Sequence, residues 1–159
     1  MASPSLPSLG VLLGVGIPAF VGAVLLLVFS LVARAAARMR AELEMEGVVL
    51  DSGPQWITIR YNNFRSPGLY KGVAITRMRS SLILTQKRLV MTPHRRPYRF
   101  IGKKELQRFT AGVAEDGSLQ IHSDNPPNAT GSIDYRVNLG NPDAWVNALA
   151  EAGARRRAS

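Results

Sequence analysis

The chain of 159 residues contains no cysteine and only two histidines, His94 and His122. The lack of cysteine excludes disulfide bonds and thiolate metal sites. Because neither histidine has a second histidine close to it in the sequence, the pattern argues against a metal centre. There is no Gly-Lys-Ser/Thr phosphate-binding loop, and Ser80 and Ser81 have no neighbouring base that would activate them. These absences predict a protein that is not an enzyme and that uses no cofactor or metal ion.

Charged residues are absent from the first 33 positions. The run from Leu9 to Ala33 holds 25 uncharged residues. As a helix it would be roughly 37 Å long, against about 30 Å for the hydrocarbon core of a bilayer. A cleaved signal peptide is the alternative, but it would have a basic start and a shorter apolar core. We therefore expect a transmembrane helix over residues 9–33.

The distribution of arginine predicts how this helix is oriented. Residues 1–8 contain no Lys or Arg, whereas Arg34, Arg38 and Arg40 follow the apolar run directly. The positive-inside rule then makes residues 1–8 a short extracytoplasmic tail and places everything after the helix in the cytoplasm. The predicted localisation is the cell membrane, with a single pass and the N-terminus outside.

Two features predict how the helix continues and what it packs against. Residues 34–47 are rich in helix-forming residues and predict a juxtamembrane extension that ends at Gly47. Within the apolar run, small residues and proline recur every four positions, at Gly10, Gly14, Pro18 and Gly22. Such a stripe lets a second helix approach closely, although Gly and Pro are common in membrane helices in general. Both interpretations stay open.

The remaining residues, 48–153, predict one small β domain closed by a helix. Short runs with alternating polarity indicate nine strands, near 48–51, 56–63, 69–76, 81–85, 88–92, 97–101, 106–113, 118–122 and 131–138. Asn141 and Pro142 then mark a helix start. Trp145 and Leu149 share one apolar face of that helix, which we expect to cap an open end of the sheet. Residues 154–159 form a basic tail.

Two of these elements carry a resemblance to a known family. Leu84 to Leu89, "LTQKRL", resembles the hairpin of bacterial PH-like and GRAM-like domains, and the closing helix with Trp145 is similar to theirs. The resemblance implies a mainly β fold, a two-sheet, partly open barrel with a C-terminal capping helix, here preceded by one N-terminal transmembrane helix. It also implies a binding module.

Acidic residues are nearly absent from residues 77–108, which carry ten Lys or Arg and only Glu105. This segment alone has a net charge of +9, and the rest of the chain sums to zero. A local concentration of charge indicates a surface with a partner, although a solvated strand face would account for part of it. The candidate residues for binding an anionic partner are Arg77, Arg79, Lys87, Arg88, Arg95, Arg96, Arg99, Lys103 and Lys104. We refer to Arg95, Arg96 and Arg99 as the basic-loop arginines.

Three partners fit a membrane-anchored basic surface. An anionic lipid surface attracts Lys and Arg without further specificity. A membrane protein partner would make the chain an accessory or scaffold subunit held by the glycine stripe and the basic surface together. Nucleic acid is the alternative, because Tyr98 and Phe100 surround Arg99 as in a stacking platform. Alternation explains both aromatic residues as core, so we expect lipid or protein rather than nucleic acid.

Overall fold

The computed structural model describes residues 9–92 and 99–157, with side chains described from Pro18 onward except at positions 32, 35, 36, 99 and 100. The elements in chain order are α1 (Leu9–Met45), β1 (Val48–Ser66), β2 (Leu69–Lys71), β3 (Ala74–Thr85), β4 (Arg88–Thr92), β5 (Arg99–Gly102), α2 (Lys103–Leu106), β6 (Thr110–Val113), β7 (Leu119–Ser123), β8 (Thr130–Val137), α3 (Pro142–Glu151) and β9 (Arg155–Arg156). The prediction of a mainly β fold with a C-terminal helix is confirmed.

Helix α1 is a single helix of 37 residues with Pro18 inside it. Between Phe20 and Leu31 most of its described apolar side chains are about half exposed or more. Phe20 is 70% exposed and Leu26 is 71% exposed. In the part of the helix whose side chains the structure describes, no stretch is long and apolar enough to cross a membrane. Among the described side chains of α1, Leu43 near its C-terminal end is the one that is buried in the core.

The strands form one curled sheet, a half-barrel, and the expectation of two sheets is wrong. The strand order is β5-β4-β3-β1-β8-β7-β6-β9, with β2 paired to β1. The sheet is continuous because β1 is long. It has 19 residues and pairs with β3 along one edge and with β8 along the other. A strand shared in this way joins what would otherwise be two separate layers, and its twist curls the sheet.

The turn signal Gly53-Pro54 does not separate two strands, as the sequence had suggested. It forms a bulge within β1, where the pairing to β3 shifts register between Asp51 and Pro54. Gly53 has φ +61, and its N–H donates to Asp51 Oδ1 over 2.8 Å. A glycine with positive φ lets a strand absorb the extra residues and bend without ending. The predicted strands 48–51 and 56–63 are therefore parts of one element.

The hydrophobic core lies on the concave side of the sheet. The "LTQKRL" hairpin pairs Leu82 with Met91 and Leu84 with Leu89, and all four side chains are buried, as their alternation predicts. Ile57 and Ile59 of β1 are fully buried against them. The predicted strand 106–113 is in fact the end of α2 followed by β6, because Leu106 and Phe109 turn inward and close one opening of the half-barrel.

Helix α3 lies at the same end of the half-barrel as α2, since a methyl group added at Gly153 would lie 3.7 Å from both Gln107 Cγ and the Lys103 carbonyl oxygen. Asn141 Oδ1 accepts a hydrogen bond from the backbone N–H of Ala144 over 3.1 Å, which caps the helix start. Trp145 is 5% exposed and Leu149 is fully buried, and both belong to the same core cluster as the strand residues. The helix packs chiefly on β6 and β7 and also reaches β1. The two side chains thus fill the end of the half-barrel.

Candidate functional site

The predicted cations fall into four groups. Lys87, Lys103 and Lys104 lie together at the end of the β3–β4 hairpin, where the backbone N–H of Lys103 donates to the carbonyl of Lys87 over 2.9 Å. All three side chains are exposed. This hairpin end lies beside the C-terminal end of α1, since the N–H of Gln86 donates to the carbonyl of Gly47 over 3.1 Å.

Arg88 has an internal partner that the sequence did not reveal. Its Nη2 lies 2.8 Å from Glu46 Oε1, and its Nε donates to Glu46 Oε2 over 3.0 Å. Thr85 Oγ1 donates to the same Oε2 over 3.0 Å. The side chain of Glu46 is only 14% exposed and that of Arg88 is 26% exposed. The charge of Arg88 is therefore largely neutralised within the chain, and the pair ties α1 to the hairpin.

The electrostatics of Glu46 follow from this geometry. Burial by itself raises the pKa of Glu46. The hydrogen bonds from Arg88 and Thr85, together with the positive charges of Arg88 and Lys87, outweigh burial and hold the pKa below its ordinary value. Glu46 is thus ionised at neutral pH, and its contact with Arg88 is a charge-assisted pair.

Arg77 and Arg79 lie on the convex side of the sheet, beside a tryptophan that sequence reasoning missed. Across the β1–β3 ladder Trp56 faces Arg79, and Arg60 faces Ile75. The guanidinium of Arg77 lies over the Trp56 ring, 5.1 Å from its centroid. We call this set, Trp56, Arg60, Ile75, Arg77 and Arg79, the aromatic–basic face.

Two large apolar side chains on this face are in contact with water. Trp56 is 55% exposed and Ile75 is 65% exposed. The alternation of β1 contained the signal, because Trp56 falls in step with Thr58 and Arg60 on the outward side, whereas Ile57 and Ile59 point inward. Tryptophan is enriched at interfaces where an apolar ring and a polar tip are both accommodated, so this face is a candidate for contact with a partner.

The basic-loop arginines are only partly covered by the structure. Arg95 and Arg96 lie outside the described residues. Arg99 is the first residue of β5, paired with Met91, and its side chain is not described. The last described residue before the gap is Thr92, which pairs with Ser81 of β3. That pair lies two residues along β3 from Arg79.

A groove separates α1 from the convex side of the sheet. It has a volume of about 940 Å³, and its walls include Phe29 and Ala33 of the helix and Pro54 and Ser81 of the sheet. Pro54 and Ser81 are a register pair of the β1–β3 ladder. The end of the apolar run of α1 therefore lies across the groove from the bulge of β1.

The stripe of small residues in α1 does not contact the β domain at Gly22. A methyl group added at Gly22 would meet nothing within 4 Å. Pro18 is exposed, and of Gly10 and Gly14 the structure describes only their place in the helix. The stripe is thus open to a partner along its described part.

Among the described residues, no group of three or more His, Cys, Asp or Glu is placed to hold a metal ion. His122 Nε2 lies 3.0 Å from Asp124 Oδ1 on the convex side of β7, and His94 lies outside the described residues. The arrangement that remains is a basic, partly aromatic surface beside an apolar helix. The chain matches no protein-family model, and no curated protein matches its sequence.

Proposed function

We propose that the protein is a single-pass membrane-anchored binding module whose β domain docks on an anionic lipid surface. The single observation that carries the proposal is α1, a continuous helix whose apolar side chains are exposed and whose far end is fixed to a basic β domain. Exposed phenylalanine and leucine over three helical turns are stable only in a bilayer or against another protein. The proposed anchor is residues 9–33, with residues 1–8 outside and the domain in the cytoplasm.

Charge supports lipid as the partner. No Asp or Glu occurs from Ser52 to Lys104, whereas twelve Lys or Arg do. Each cation near an anionic leaflet contributes about 1 kcal/mol, and the attraction fades within a Debye length of about 8 Å at physiological salt. A tethered domain has already lost most of its translational freedom, so a few such contacts suffice to hold it on the surface.

The proposed fold relationship is to PH-like and GRAM-like domains. A half-barrel with one end filled by a C-terminal helix agrees with that architecture, and the single continuous sheet is a departure from the two sheets expected. A binding role follows from this relationship by analogy only. The proposal therefore rests on the surface and the anchor.

A second function is favoured by the groove and the glycine stripe. A neighbouring membrane helix that packed on Gly10, Gly14 and Gly22 would make the chain an accessory subunit of a membrane protein complex. The 940 Å³ groove would offer such a partner a further contact. The two functions are compatible, since one uses the helix and the other uses the domain.

The anchor is tested first, by alkaline extraction of membranes that contain the full chain. The anchored protein stays in the membrane pellet, and a chain released by carbonate would refute the anchor. In right-side-out cells we expect the domain to be protected from external protease, which tests the orientation.

Docking is tested with the full chain in lipid nanodiscs. The chain lacks cysteine, so replacing the exposed Asn147 by cysteine creates a single site for attaching a dye to the domain. Energy transfer from this dye to labelled headgroups is expected to increase when phosphatidylglycerol is added to phosphatidylcholine and to fall again at high salt. No change with anionic lipid would refute docking. A response to an oligonucleotide at physiological salt instead would favour the nucleic-acid alternative, and stoichiometric co-purification in mild detergent tests the subunit function.

A further inference from the structure

We propose that the aromatic–basic face is the part of the domain that enters the bilayer interface, with Trp56 inserted among the headgroups and Arg77 and Arg79 against lipid phosphates. This inference rests on the proposed membrane anchor. It goes beyond that proposal by naming the surface, the inserted residue and the ligand chemistry, an anionic phospholipid headgroup.

The first support is the combination of side chains on one face. Trp56 and Ile75 are more than half exposed on a sheet whose opposite side is a buried core. In β2 and the bend that follows it, Tyr70 is 62% exposed and Val73 is 86% exposed. Tryptophan and tyrosine combine an apolar ring with a polar tip, and they concentrate at membrane interfaces where one side is apolar and the other wet.

The second support is charge complementarity. Arg60, Arg77 and Arg79 are exposed on this face. The one carboxylate across the ladder from Arg60 is Asp134. It is already bound by Arg136, whose Nε donates to Asp134 Oδ1 over 3.2 Å, and by Gln120. The face therefore presents guanidinium groups to an anion, and guanidinium binds phosphate oxygens in a bidentate manner.

The third support is position. Pro54 and Ser81 line the groove that Phe29 and Ala33 of α1 also line. Trp56 and Arg79 are the register pair two residues further along the same two strands. Because Ala33 is the last residue of the proposed anchor, the bilayer surface that receives α1 lies close to this part of β1 and β3.

The contact between Arg77 and Trp56 couples insertion to phosphate binding. The ring holds the guanidinium 5.1 Å from its centroid, so the cation is positioned before lipid arrives. When the ring enters the interface, the same movement brings the guanidinium to the depth of the phosphates. A planar donor that is already oriented loses less freedom on binding than a free side chain does.

The experiment uses the two tryptophans of the chain as probes, because they report on different places. Trp145 is 5% exposed inside the core, whereas Trp56 is on the proposed membrane face. The full chain is placed in nanodiscs of phosphatidylcholine or of phosphatidylcholine with phosphatidylglycerol. We expect the Trp56 emission to shift to shorter wavelength in anionic discs, to be quenched by brominated lipid and to lose its quenching by acrylamide. The W56F variant, which retains only Trp145, should show none of these responses.

A charge-matched pair of variants tests the arginines. R77Q/R79Q removes two cations from the face, and R155Q/R156Q removes two exposed cations from β9 at the other end of the sheet. Each interfacial cation is worth about a fivefold factor in the docking equilibrium. We expect R77Q/R79Q to weaken docking about 25-fold and R155Q/R156Q to leave it nearly unchanged, as measured by the Trp56 response against the fraction of anionic lipid.

The outcomes separate this inference from the anchor. A chain that resists alkaline extraction, but whose Trp56 stays accessible to acrylamide in anionic discs, overturns the face and leaves the anchor standing. A chain that is released by alkali overturns both. Equal weakening by the two arginine pairs shows a nonspecific charge effect and overturns the face. If Trp56 responds to an oligonucleotide and not to anionic discs, the face binds nucleic acid. If Trp56 responds only in native membranes, the face binds a protein. Either result overturns the proposal of lipid binding.

Discussion

Glu46 is one of the residues that join α1 to the β domain, and we expect its replacement to lower the free energy of unfolding measurably. Replacing Glu46 by Gln keeps the size of the side chain and removes its charge. Two contacts to Arg88, of 2.8 and 3.0 Å, and one to Thr85, of 3.0 Å, then lose their ionic partner. We expect the domain to become less stable, because the half-buried Arg88 loses the negative charge of the carboxylate that it binds.

The magnitude follows from exposure. A fully exposed ion pair contributes about 0–1 kcal/mol, and a hydrogen bond to a charged group contributes about 1.5–3 kcal/mol when shielded. With Glu46 at 14% and Arg88 at 26% exposure, the pair lies between these cases. We expect a coupling free energy of about 1–2 kcal/mol from a double-mutant cycle of E46Q and R88Q.

The assay is urea unfolding of the full chain in detergent micelles, followed by the fluorescence of Trp145 in a background that carries W56F. The cycle isolates the pair from other effects of each substitution. A coupling below about 0.3 kcal/mol would refute the reasoning, because independent sites already add to within that margin.

The pH dependence gives a second test of the same joint. The folded pKa of Glu46 lies below its ordinary value of 4.5, so its contribution to stability is present above 4.5 and is lost as the pH falls through the folded value. The difference in stability between the native chain and E46Q should therefore be constant near neutral pH and disappear in acid below 4.5. A difference that persists in acid would show that the charge of Glu46 is not its cause.

Three further predictions concern the core, the backbone and the basic loop. Trp145→Ala should cost about 3–5 kcal/mol, because it empties one end of the half-barrel, and a nearly unchanged melting temperature would contradict the capping role. Gly131→Ala should destabilise the domain by more than Gly117→Ala does, since both glycines have positive φ but the Cβ added at Gly131 would collide with the Asn63 carbonyl oxygen, whereas the one at Gly117 would meet nothing within 4 Å; equal melting temperatures would contradict this. Replacing the three basic-loop arginines by Glu changes the net charge of residues 77–108 from +9 to +3. We expect unchanged melting with docking lost in the nanodisc assay, and unfolding would instead make these arginines structural.

Local patterns in the sequence predicted the elements whose partners are close in the chain. The alternation of Leu82, Leu84, Leu89 and Met91 predicted a hairpin with one buried face, and the structure shows it. Turn chemistry was less informative, because two-residue loops prefer Asn-Gly pairs and this one is Gln86-Lys87. Here the Thr85 hydroxyl accepts hydrogen bonds from the N–H groups of Lys87 and Arg88, over 3.2 and 3.0 Å, and so stabilises the turn.

The long-range arrangement of the sheet could not be predicted in the same way. A Gly-Pro pair is a turn signal in isolation, and only the pairing of β1 with two neighbours shows that Gly53 forms a bulge. The number of sheets follows from that pairing. Strands that are far apart in the chain leave no local sequence pattern that shows they pair. β1 and β8, for example, are adjacent in space but far apart in the sequence.

The sequence by itself determined the charge-free apolar run, the basic segment with its single acidic residue and the apolar faces of the hairpin and the last helix, because each is a property of neighbouring residues. Only the tertiary structure decided which side chains each cation contacts. It pairs Arg88 with Glu46, forty-two positions away, and so removes one predicted binding residue from the free surface. It also brings Trp56 beneath Arg77, because antiparallel pairing of β1 with β3 places residues twenty-one positions apart on one face. The net charge can be counted from the sequence, but whether a given cation is available to a partner depends on which side chains lie next to it in the fold.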